Sequence, residues 1–142
     1  MIEWLKDAIR PIRIQDPRFG ALRFFRDAQF WEGQAMFGPV GYSVEVLVKG
    51  RATGPTEEQY AFYAAVQDHY GSLRPEIERM LRDEALHLKA TDASAFRLVC
   101  IDIPADPSER AEWELSYETE PSSWHFTVTL EGWVPRRILA EC

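Results

Sequence analysis

At 142 residues and 16.4 kDa the chain is the size of one domain with one packed core, and residues 1–142 are read as a single α+β unit. An apolar share of 46% and an aromatic share of 13% exclude a disordered chain. A net charge of −7 argues against a nucleic-acid footprint, which needs clustered Lys and Arg, and against docking on an anionic membrane.

Ile2, Leu5, Ile9 and Ile12 recur at helical spacing and predict a short N-terminal helix, which Pro11 ends. Glu3, Lys6 and Asp7 break the apolar run that a secretory signal needs. No stretch approaches the ~20 apolar residues that cross a bilayer. Residues 16–50 read as three strands. "RDAQ" and "GPVG" supply the turns between them, and Val44, Val46 and Val48 alternate with Ser43, Glu45 and Lys49 as in a half-buried strand.

"GPTEEQYAFYAAVQDHYGSLRPEIERML", residues 54–81, reads as a helix. Thr56 and Gln59 have the spacing of a capping box, with Glu57 and Glu58 at the positive end of the helix dipole. Tyr63, Val66, Tyr70, Leu73, Ile77 and Met80 form one stripe at intervals of three and four. The stripe keeps phase through Gly71 and Pro75. That favours one long kinked helix from Thr56 to about Leu88 over a break with Ser72 capping a second helix.

Three further strands follow. "AFRLVCIDI" (95–103) is nearly all apolar, as in a central strand. "EWELSYE" (112–118) and "WHFTVTLE" (124–131) alternate cleanly and predict a hairpin through "EPSS". The expected fold is therefore α+β: an antiparallel sheet of about six strands, βββ-α-βββ, packed on one long kinked helix, with a short N-terminal helix.

Candidate chemistry is sparse. His69 and His87 lie 18 residues apart, ~27 Å along a helix, too far to share a metal. Glu84 and His87 have the spacing of a di-metal carboxylate helix, but no second such pair exists. His125 falls on the polar side of its strand. Cys100, in the most apolar strand, reads as a small hydrophobe. Cys142 is the other cysteine, and no disulfide framework or CxxC is present, which points to a reduced, cytoplasmic setting. No nucleophile elbow, dinucleotide fingerprint or phosphate loop occurs. Gly33 reads as a bulge or a close backbone approach. No metal, cofactor or catalytic residue is expected.

One collective feature remains. If Val44, Trp113 and Trp124 face the helix, the opposite face carries Glu45, Glu112, Glu114, Glu118 and Glu131, relieved in part by Lys49 and Arg97. This face is the candidate interaction surface, and a basic protein is the candidate partner, against the plainer reading of a solvated face that keeps the protein soluble. The competing expectation is an enzyme or small-molecule binder with a pocket between helix and sheet. Neither reading specifies an oligomeric state.

The Asp-Pro-x-Phe-Gly opening at Asp16, the Trp-x-Gly strand at Trp31, the Val-x-Val strand at Val44 and the Gly-Pro-Thr-x-x-Gln helix start at Gly54 resemble a group of bacterial domains of unknown function. The "WHFTVTLEGW" segment is similar to their last strand, so the resemblance spans residues 16–134. Its motifs are turns, a cap and core aromatics. They imply the fold and assign no activity. Some similar small acidic domains act as immunity proteins, but no residue here carries that role over.

Overall fold

A computed structural model describes residues 12–90, 95–120 and 124–141. Eight strands form one sheet in chain order: β1 (Ile12–Asp16), β2 (Gly20–Phe25), β3 (Phe30–Phe37), β4 (Tyr42–Lys49), β5 (Ala95–Ile103), β6 (Glu112–Glu120), β7 (His125–Glu131) and β8 (Val134–Glu141). One helix, α1 (Glu57–His87), joins β4 to β5. All neighbouring strands are antiparallel except β4 and β5, which run parallel because α1 carries the chain back across one face.

This ββββ-α-ββββ order corrects the expected six strands. Ile12, expected as the last apolar position of an N-terminal helix, opens β1 and pairs with Phe24. The rest of that expected helix lies outside the described residues. At the other end, Gly132 adopts φ +57° in a tight turn after β7 and returns the chain as β8. β8 escaped notice because Pro135 and the adjacent Arg136 and Arg137 interrupt its alternation. Arg136 is the extra residue of a bulge, since Thr129 faces Arg137 while Leu130 faces Pro135.

α1 is continuous through Gly71 and Pro75. Both residues are exposed, so the Gly71 carbonyl that Pro75 cannot serve faces water. The capping box is complete: Thr56 Oγ1 accepts from the Gln59 amide at 3.2 Å, and Gln59 Oε1 accepts from the Thr56 amide at 3.0 Å. Gln59 Nε2 then donates to the carbonyls of Lys49 (2.6 Å) and Pro104 (3.0 Å), tying the helix start to both parallel strands.

The buried stripe of α1 includes Phe62, Tyr63, Val66, Tyr70, Leu73, Ile77, Leu81 and Ala85, with Met80 only half-buried. It packs on Trp31, Val46, Ile101, Leu115 and Val128 of the sheet. Tyr70 and Tyr117 share a hydroxyl hydrogen bond of 2.7 Å across that interface. Gly33 is a close approach: a Cβ there would lie 2.6 Å from Leu22 Cδ2 and 2.8 Å from the Ala21 carbonyl oxygen. The β1–β2 turn reaches α1 through Asp16. Its Asp16 Oδ2 accepts from the amides of Arg18 (2.9 Å) and Phe19 (2.8 Å), while Tyr60 donates its hydroxyl to Oδ1. The Asp-Pro-x-Phe-Gly motif is a carboxylate-stapled turn.

Candidate functional site

Because α1 covers one face of the sheet, the other is free of secondary structure among the described residues. The strand register lays two rows of side chains across that open face. One runs Gln34, Glu45, Cys100, Ser116, Thr127, Leu139; the next runs Glu32, Leu47, Asp102, Glu114, Thr129, Arg137. Glu112 stands opposite Glu131, and Glu118 opposite His125 and Arg97. All five expected carboxylates, Glu45, Glu112, Glu114, Glu118 and Glu131, therefore lie on this face, while Trp113, Leu115, Phe126 and Val128 point into the core.

The charges on this face are unevenly matched. Arg137 lies 3.6 Å from Glu112, Arg136 lies 3.7 Å from Glu131, and Lys49 lies 3.5 Å from Asp102. Arg97 instead covers the Tyr42 ring, 3.8 Å from its centre. Among the described residues no cation is within 4 Å of Glu45, Glu114 or Glu118. The outer side of α1 is different. There Arg74 pairs with Glu78, Arg79 with Glu76 and Asp83, and Arg82 with Glu78, all one turn apart.

Asp102 and Cys100 occupy the middle of the open face and were not expected there. Burial pushes the Asp102 carboxyl up to about 6; Lys49 counters this and Glu114 adds to it. Asp102 Oδ1 is buried with no hydrogen-bond partner. The Cys100 thiol is also raised, by burial first and then by the charges of Glu45 and Asp102, which makes it a poor nucleophile. Sequence alternation hid both residues. Between Leu98 and Cys100 the register shifts, so Arg97 faces outward before the bulge, and Cys100 and Asp102 after it. Nothing in a nearly all-apolar run signals that change of phase.

The other candidates take structural places. His69 stacks on Trp133 of the β7–β8 turn at 4.1 Å and 2°, and its Nδ1 lies 2.9 Å from the Ala65 carbonyl. His87 is exposed in the last turn of α1. No group of three His, Cys, Asp or Glu side chains is arranged to hold a metal among the described residues. No helix is long and apolar enough to cross a membrane among them.

A groove of about 540 Å³ does lie between α1 and the sheet, lined by Arg18, Phe19, Gln34, Met36, Tyr60, Tyr63 and Gln67 among others. Its one strongly shifted group is Tyr60, pushed up to about 12 by burial and by its bond to Asp16. That shift moves away from neutrality, so the phenol is not poised for proton transfer near pH 7. No family model, no curated protein and no solved structure matches the chain.

Proposed function

We propose that the open face of the sheet docks a basic surface of another protein, and that the chain acts by binding rather than by catalysis. The observation carrying this is the set of carboxylates at Glu45, Glu114 and Glu118, which have no cation within 4 Å, although Arg97 stands across from Glu118, on a face that no element covers among the described residues. Like charges on neighbouring strands repel, and the helix surface avoids that cost by pairing its acids with arginines one turn away. A basic partner supplies the missing cations, and the field of the face steers the encounter. The raised thiol of Cys100 supports binding over chemistry, since the one cysteine among the acids lacks an accessible thiolate.

Immobilised wild-type protein and a variant carrying Glu45→Gln, Glu114→Gln and Glu118→Gln are compared for capture from a proteome at physiological salt. A defined basic protein retained by the wild type and lost from the variant is the expected result. Equal retention by both, or no retention by the wild type, overturns the reading.

A second reading rests on the groove beside α1. Arg18 and Gln67 bring a cation and an amide to a cleft walled by Tyr60 and Tyr63, a mixture suited to a small anionic aromatic compound. Titration with a set of aromatic carboxylates tests it. Amide shifts confined to Gly20, Ala35 and Gln67 support a ligand site there, and none at any concentration rejects it.

A further inference from the structure

β8 is the last strand of the sheet and pairs only with β7, so its outer edge offers unpaired amides and carbonyls among the described residues. Many edge strands are blunted along their whole length. Here the interrupting features, Pro135 and the bulged Arg136, are confined to the start, and Arg137 to Glu141 then run in regular register with β7. On the open face this segment shows Arg137, Leu139 and Glu141; on the helix face Ile138 and Ala140 pack against the core. Leu139 is 62% exposed, one of three large apolar side chains exposed to that extent among the described residues.

We propose that β8 pairs antiparallel with β8 of a second copy, about a twofold axis at Leu139. An axis normal to the sheet keeps each residue opposite one of the same face, which leaves few registers. An axis at Arg137 sets that arginine against itself. An axis at Ile138 sets Arg137 against Leu139 and leaves Glu141 outside the pairing. The axis at Leu139 sets Arg137 of each copy against Glu141 of the other, Leu139 against Leu139, and Ile138 against Ala140. Both charged residues then meet opposite charge, the exposed leucine is covered, and Pro135 falls beyond the paired segment, where its missing amide is not needed. The segment is therefore self-complementary in one register.

The contact is small, and two chains of net charge −7 repel at long range, so the dimer is weak and forms with rising concentration. The acids of β4 to β6 stay uncovered in it, which makes this inference independent of the docking proposal.

Sedimentation velocity over a concentration series at physiological salt tests the pairing. The wild type is expected to move from 16.4 kDa toward twice that mass. Arg137→Glu and Glu141→Arg, each folded by circular dichroism, are expected to remain monomeric, and the double variant to recover the dimer, because the swap restores both pairs. Leu139→Lys places two like charges at the axis and is expected to abolish association without removing any ion pair within the chain. The proposal is overturned by a wild type that stays monomeric at every concentration, by a Leu139→Lys variant that dimerises as well as the wild type, or by a folded double variant that fails to recover.

Discussion

Asp102 of β5 and Glu114 of β6 stand directly opposite each other on the face of the sheet that α1 leaves open. Burial raises the cost of ionising Asp102, and the facing Glu114 adds to it.

The consequence for stability has a definite sign. The folded Asp102 titrates at about 6 rather than at the ordinary 3.8, so between those values the folded state holds a proton that the unfolded chain has released. Stability contributed by this group is present below about pH 4 and is lost as pH rises through 6. Asp102→Asn is therefore expected to stabilise the protein by about 1–2 kcal/mol near neutral pH, less than the full shift implies because the Asn amide, buried in its turn, needs hydrogen-bond partners of its own. Urea unfolding at several pH values measures this. A destabilised variant, with an unchanged slope between pH 4 and 6, contradicts the assignment.

Gln59 is the second test. Its Nε2 donates to the carbonyls of Lys49, at the end of β4, and of buried Pro104, just after β5, while its Oε1 closes the capping box. Glu at this position keeps the shape and sets a carboxylate against both carbonyls. Gln59→Glu is expected to cost at least about 2 kcal/mol, because both acceptors lose their donor and meet a charge. Thermal unfolding of a variant within a few tenths of a kcal/mol of the wild type would show that the bridge does not matter.

A third expectation concerns Gly33. A methyl there meets the Ala21 backbone carbonyl, which has no flexible end to move aside. Gly33→Ala is expected to destabilise by about 1–3 kcal/mol, the usual cost of overpacking. Near-neutral stability in a chemical melt would mean that β2 and β3 can part far enough to admit the methyl.

Much of the centre of this fold was legible in the sequence, and its margins were not. The capping box at Thr56, the stripe from Tyr63 to Ile77 and the alternation in β6 and β7 are strong periodic signals, and the structure follows them. β1 failed because four isoleucines and leucines at helical spacing outweighed a five-residue strand. β8 failed because its bulge and its two adjacent arginines erase the period-two pattern. The open face was legible as five glutamates, since clean alternation reports the side of a strand without knowledge of its neighbours. Asp102 and Cys100 were illegible because a bulge sets their phase, and which carboxylates lack cations depends on pairings between strands distant in sequence.

The central claim is that the open face, and not the helix surface, is where a basic partner binds. Backbone amide shift mapping with a polylysine peptide at physiological salt tests it most directly, because both surfaces carry acids and only their pairing differs. The account predicts shifts concentrated on β4, β5 and β6 around Glu45, Glu114 and Glu118, and their loss in the variant with Gln at those three positions. Shifts centred on the outer side of α1, or shifts on the sheet that survive the three substitutions, would contradict it.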